Sequence, residues 1–180
     1  NKNNIKNPIT VLDKEYSVSD PYVFIYKKIY YMILLSKEKN TLEIYECENF
    51  PNKWNFKMVI MKNVRAVSPV ILNYNGRWWL FIGLSENEVS SPNDELFLFS
   101  SKSPLDNQWV SHPLNPIISD IRNARPAGNP FINNNNLYRP SRDSSISGKY
   151  SININKINII NELDYQEELM GEINPEWDNK

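Results

Sequence analysis

An all-β fold is what this sequence predicts, and three observations predict it. Short apolar runs rich in β-branched and aromatic residues alternate with turn residues along most of the chain. The order of those runs repeats: Pro21 and Pro69 stand 48 residues apart, and so do the pairs Tyr30-Tyr31 and Trp78-Trp79. Each repeat of roughly fifty residues holds four short strands, which is the signature of a β-propeller blade. A β-sandwich with coincidental spacing is the competing architecture.

Residues 1–15 are polar and show no sustained period, so they read as an irregular lead-in or the remnant of a preceding blade, ahead of a partial propeller over residues 16–180. The first strand is PYVFIY, Pro21–Tyr26, bounded by Pro and by Lys27-Lys28. A turn at the lysines leads to IYYMILL, Ile29–Leu35. LEIYEC, Leu42–Cys47, alternates apolar with polar at period two, and WNFKMVIM, Trp54–Met61, closes the group of four. The order then recurs in SPVILNY, Ser68–Tyr74, which turns at Asn75-Gly76, a pair that tolerates positive φ. RWWLFIG, ELFLFS and the segment opening at Trp109 complete the second group. A more diverged third copy runs through GNPFINN, an asparagine turn at Asn133–Asn136, LYRPS and YSININKI, Tyr150–Ile157. The tail from Asn161 to Lys180 is polar, carries Trp177 without an evident partner, and reads as the exposed end of a truncated repeat. Three blades do not close a ring, because a blade buries its faces only against neighbours on both sides. The reading is therefore about three blades of a larger ring.

Composition narrows the function classes. The 180 residues carry a net charge of -1, so no basic field is available for a nucleic-acid backbone. Cys47 is the single cysteine, which rules out an intrachain disulfide, and no apolar run approaches the length of a membrane helix. No signal-peptide pattern opens the chain, and the cytoplasm is the expected compartment. A phosphate-binding glycine loop is absent, and His112, the only histidine, has no second His or Cys with which to build a metal site. Neither a metal nor a cofactor is expected. A structural or ligand-contact role is expected of His112.

In a propeller the innermost strand of each blade lines the channel, so the chemistry is expected at the three strand starts. These are Ser19-Asp20-Pro21, Val67-Ser68-Pro69 and Arg125-Pro126-Ala127-Gly128. Asp20 is the one candidate catalytic carboxylate; its bland reading is a turn residue before Pro. Glycoside cleavage needs two carboxyl groups, and the starts offer only this one. The segment Ser119–Ser144 holds Arg122, Arg125, Arg139 and Arg142. Arg125, Arg139 and Arg142 offer forked donors to carboxylate, phosphate or paired sugar hydroxyls, and the alternative is structural pairing with Asp120 and Asp143. Trp78 and Trp79 point to opposite faces of one strand, one a core residue and the other a possible sugar platform. The candidate ligand-binding set is Asp20, His112, Arg125, Arg139, Arg142 and Asp143.

The series SDPYVF, YYMILL, LEIYECENFPNKW, VSPVILNYNGRWWLF, DIRNARPAGNPF and LYRPSRDSS resembles the N-terminal domain family of glucosamine inositolphosphorylceramide transferases and its bacterial relatives, from about Tyr16 to Glu168. The resemblance implies a five-bladed propeller similar to family-43 glycoside hydrolases, working in glycan or glycolipid assembly, alone or beside a transferase module. It matches Arg125, Arg139 and Asp143. It also departs, with Ser68-Pro69 where the family often has Asp-Pro and Ile33-Leu34 where it often has Pro-Glu, and both changes remove acidic groups. The expectation is a glycan-binding or glycan-processing accessory domain that does not hydrolyse its carbohydrate or glycolipid ligand. The alternatives are an active glycosidase-like hydrolase using Asp20 and a structural propeller that docks a transferase domain.

Overall fold

The structure, a computed structural model, describes residues 8–146 and 151–174. Within them lie thirteen strands in three antiparallel sheets and no helix. The first sheet runs β1 (Val18–Tyr26), β2 (Ile29–Ser36), β3 (Thr41–Asn49) and β4 (Lys53–Lys62), each paired with the next. In the second, β5 (Ala66–Tyr74), β6 (Arg77–Leu84) and β7 (Glu95–Ser101) follow in order. Two short strands, β8 (Val110–Ser111) and β9 (Ile118–Ser119), share the far edge of β7. The third sheet runs β10 (Phe131–Asn133), β11 (Asn136–Arg142), β12 (Ile152–Ile160) and β13 (Tyr165–Ile173).

Turn chemistry explains the first hairpin of each sheet. Lys27-Lys28, Asn75-Gly76 and Asn134-Asn135 all take positive φ, between 47° and 74°, which matches the twist of the flanking strands in a two-residue connection. Asparagine and glycine tolerate this; the two lysines show tertiary pairing overriding local preference.

Sheet stacking accounts for the strongly apolar strands. In β6, Leu80 and Ile82 face the first sheet and join Phe24, Ile33, Leu35, Leu42, Ile44 and Ile60. Trp79 and Phe81 face the opposite way and join Leu137, Ile157 and Tyr165 of the third sheet. Alternate residues of one strand thus feed two cores, so β6 reads as an apolar run instead of an alternating one. The outer face of the first sheet, with Met32, Leu34, Tyr45 and Trp54, is covered by Val11 and Leu12 of the segment before β1.

Two expectations are corrected. The strand after Trp109 is not continuous: Pro113 and Pro116 interrupt it, and the Asn115 side chain takes over the ladder at Leu98, accepting from the Leu98 N–H and donating to the Leu98 carbonyl, both at 2.8 Å. The tail from Asn161 is not a simple polar end, since Tyr165–Ile173 forms β13 and completes the third sheet. Its composition conceals it because Glu167 is buried through an ion pair. Tyr150 and Trp177 lie outside the described residues.

Candidate functional site

The three strand starts come together. Asp20, Pro21 and Tyr22, Ser68, Pro69 and Val70, and Pro126, Ala127 and Gly128 line one depression of about 270 Å³. Two of the starts are built alike. The β1–β2 register shifts between Ser19 and Tyr22, and the β5–β6 register shifts between Val67 and Val70, so each start is a bulge. Asp20 at φ 51° and Ser68 at φ 50° occupy the left-handed region, each directly before a proline. Such a conformation costs a non-glycine residue about 1–2 kcal/mol, and bulges re-aim side chains where a strand must present them. In the third start Gly128 takes φ 136°, open only to glycine.

Arg125 ties the starts to one another. Its Nε donates to Ser68 Oγ at 3.1 Å and its Nη1 to Asn93 Oδ1 at 3.1 Å, while its Nη2 lies 4.0 Å from Asp20 Oδ1. Asn93 arrives on the loop after β6, which closes over Gly83; a Cβ there would collide with the Pro92 carbonyl and the Val67 side chain. Asp20 also accepts from Ser19 Oγ at 3.0 Å. Arg125 and Asp20 keep 25% and 22% of their side chains exposed, enough to meet a ligand. Partial burial holds the Arg125 pKa below the usual guanidinium value, the Arg142 charge adds to this, and Asp20 opposes it. Arg142 donates its backbone N–H to the Arg125 carbonyl at 2.9 Å. Tyr22 donates to the Ile71 carbonyl at 2.8 Å, and burial pushes its pKa up to about 12.

The other expected ligand residues are elsewhere. Arg139 is sealed, with its side chain 0% exposed. It donates through Nε and Nη2 to Glu167 at 2.8 and 2.6 Å and through Nη2 to the Asn123 carbonyl at 2.9 Å. Burial, the largest single effect, lowers its pKa; the Glu167 charge and hydrogen bonds, with Tyr165 adding to them, together outweigh it and raise the value. The partner foreseen from sequence, Asp120 or Asp143, is thus replaced by Glu167. His112 is buried between the second and third sheets: the Leu114 N–H donates to Nδ1 at 3.2 Å, which leaves Nε2–H to donate to the Asn161 carbonyl at 3.0 Å. It contacts no part of the depression. Asp143 is buried, accepts from Ser145 N and Oγ at 2.9 and 2.6 Å, and lines a separate hollow with Asp120, Arg122 and Glu172. Trp79 is core, and Trp78, half-buried, packs edge-on against Tyr26 and tilted against Phe24. Among the described residues no group of three or more His, Cys, Asp or Glu is placed to hold a metal ion.

Sequence reasoning missed Asn93, Asn123 and Glu167. Asn93 and Asn123 sit in loops that carry no periodic signal. Glu167 was open to detection, because Tyr165 and Glu167 alternate inward in the fourth strand that the repeat calls for.

A family model described as the N-terminal region of glucosamine inositolphosphorylceramide transferase 1 matches residues 5–176. The chain belongs to this family. It is 31% identical over 158 residues to glucosamine inositolphosphorylceramide transferase 1 of Oryza sativa subsp. japonica, covering 87% of this chain and 21% of that protein. The counterpart in Arabidopsis thaliana is 32% identical over the same length, with 87% and 20% covered. The chain therefore spans about a fifth of the length of the curated relatives it matches. Among solved structures it is similar to a thermostable family-43 glycoside hydrolase, at TM-score 0.62 and 18% identity, over 96% of this chain and 58% of that one. It is also similar to an exo-β-1,3-galactanase from Phanerochaete chrysosporium with β-1,3-galactotriose, at TM-score 0.61 and 8% identity, over 86% and 38% of the two chains. At these identities the likeness establishes a shared fold and nothing about activity.

Proposed function

We propose that the family member described here is a glycan-binding domain of glycolipid or polysaccharide assembly, built as part of a five-bladed propeller over residues 16–180, that holds its ligand and does not hydrolyse it. One observation carries this reading: Arg125, in the loop ahead of the third sheet, reaches across to Ser68 of the second and Asp20 of the first, two residues that line one depression. A guanidinium beside a carboxylate suits a carbohydrate, whose hydroxyls donate to one and accept from the other, and a guanidinium also suits an oxyanion. The relatives are named for a glycolipid that contains an inositolphosphoryl group, which offers both chemistries. Against cleavage stands the count of carboxylates: Asp20 alone lines the depression, and it already engages Ser19.

The test is binding of purified protein to a glycan array and to phosphatidylcholine vesicles with and without inositolphosphorylceramide. Retention above plain vesicles, reduced at least tenfold by Arg125→Ala and by Asp20→Asn, is expected. Binding unaffected by both substitutions removes the site assignment. Turnover of chromogenic glycosides that disappears in Asp20→Asn replaces this reading with a hydrolytic one. A third outcome, no carbohydrate or lipid bound but co-purification with a transferase module, identifies a purely structural domain.

A further inference from the structure

We propose that the sealed pair Arg139–Glu167 is a positioning element: it grips the loop that carries Arg125 and sets where that guanidinium meets the depression. The functional consequence rests on the reading above; the mechanical claim does not.

Stability alone is a weak reason for this pair to exist. Two charges removed from water regain little net free energy, and well-packed apolar side chains of similar size commonly do as well. What an apolar pair lacks is direction, and here the donors and acceptors converge on one residue of the neighbouring loop. Arg139 Nη2 donates to the Asn123 carbonyl at 2.9 Å. Glu167 Oε1 accepts from Asn123 Nδ2 at 3.0 Å. Ser141 donates its hydroxyl to Asn123 Oδ1. The backbone carbonyl, side-chain amide and side-chain oxygen of Asn123 are thus each fixed by a different buried group. Tyr165 steadies the pair by donating to Glu167 Oε2.

Asn123 stands two residues before Arg125, and Ala124 between them is fully buried in the core shared by the second and third sheets. Either side of it the loop is held again, with the Arg122 carbonyl accepting from Asn153 Nδ2 at 2.8 Å, the Arg125 carbonyl from the Arg142 N–H at 2.9 Å, and the Ala127 N–H donating to the Pro140 carbonyl at 3.2 Å. The backbone of residues 122–127 is thus tied to the third sheet at Arg122, Asn123, Arg125 and Ala127, and Asn123 alone carries three of these contacts. Arg125 has to span from the third sheet to Ser68 and Asp20, and an ångström of drift in its Cα would carry Nη2 away from the mouth. Arg139 acts through Asn123 and is a positioning residue; no atom of it reaches the depression.

The decisive variant is the double replacement Arg139→Met with Glu167→Leu, which removes both charges together and so leaves neither buried alone. Hydrogen exchange read by mass spectrometry reports the loop without any ligand. Exchange across residues 122–127 is expected to accelerate at least tenfold while that of β6 stays at the wild-type rate. In the vesicle assay with inositolphosphorylceramide, retention is expected to fall by a similar factor. Unchanged loop exchange in a double variant that melts like wild type overturns the proposal. Should the double variant fail to fold, Asn123→Ala and Ser141→Ala, which leave the ion pair intact, carry the same readout: faster loop exchange in both supports the grip, and wild-type exchange in both overturns it. If wild-type protein binds no vesicles at all, the functional reading above fails while the exchange result still decides this one.

Discussion

Arg125 and Arg139 lie fourteen residues apart in one segment and look interchangeable in sequence, yet they have opposite fates. Arg125 crosses between sheets, keeps a quarter of its side chain exposed and satisfies two of its nitrogens with neutral acceptors, Ser68 and Asn93. Arg139 is closed inside one sheet with a carboxylate in bidentate contact. A guanidinium that hydrogen-bonds neutral oxygens, with its nearest carboxylate, Asp20, 4.0 Å away, keeps donor capacity for a ligand; one in bidentate contact with a buried carboxylate has spent it on geometry. Arg122, also in the segment, gives a third case, exposed and chelated by its neighbour Asp120. Function in this segment follows from what each arginine faces, and its residue type alone says little.

The widest gap between the two regions should appear in stability. Glu167→Leu alone strands the Arg139 charge in the interior, and breaking a buried pair in this way costs about 3–5 kcal/mol. Arg125→Ala removes two hydrogen bonds from a partly exposed guanidinium to neutral acceptors, worth about 2 kcal/mol net. Urea denaturation of the two variants measures the contrast. Equal shifts in midpoint would mean that Arg125 is as structural as Arg139, and the distinction between an open and a sealed arginine would collapse.

A second measurement sharpens the strain on the open side. Asp20 is held at φ 51°, so the residue there matters through its backbone as well as its carboxylate. Asp20→Ala and Asp20→Gly delete the same side chain, and the glycine variant is expected to be the more stable by about 1 kcal/mol, the left-handed penalty less glycine's greater chain entropy. Both should lose ligand retention alike. Equal stability would show that the bulge relaxes once the carboxylate is gone, and that its left-handed backbone is maintained by Asp20 and not by the fold.

The scaffold was legible in sequence to the extent that its signals are local. Proline spacing, paired aromatics and turn residues placed β1 to β7 and β11 close to their observed bounds, because strand runs and positive-φ turns depend on neighbours in the chain. The convergence of Asp20, Ser68 and Arg125 was readable too, since a repeat carries the position of one strand start to the next. What could not be read was partner choice. Arg139 has Asp143 four residues away but pairs with Glu167, twenty-eight residues on, because the sheet interposes β12 and turns both side chains to one face. The fate of His112 depended in the same way on the Asn161 carbonyl, a backbone atom that no side-chain pattern announces. The polar composition of β13 hid a strand whose inward acid is neutralised only once the third sheet has formed.

Arg122 provides the smallest and most local test of the comparison. Its hydrogen bonds hold the Asp120 carboxyl below the usual aspartate range, against a weaker effect of partial burial and the nearby Asp143 charge, which push upward. A depressed folded-state pKa favours the fold above the ordinary aspartate value, and that contribution fades as pH falls through the lowered value of Asp120. Arg122→Ala should therefore move the Asp120 titration, followed by carboxyl NMR, back up toward its usual range, and added salt should do part of the same in wild-type protein because the pair is exposed. The Arg125 loop should stay in place, since its grip comes from Asn123 and Asn153 rather than from the Arg122 side chain. Loop exchange that accelerates in Arg122→Ala as much as in the Arg139→Met, Glu167→Leu double variant would show that the rim holds the loop as firmly as the sealed pair does.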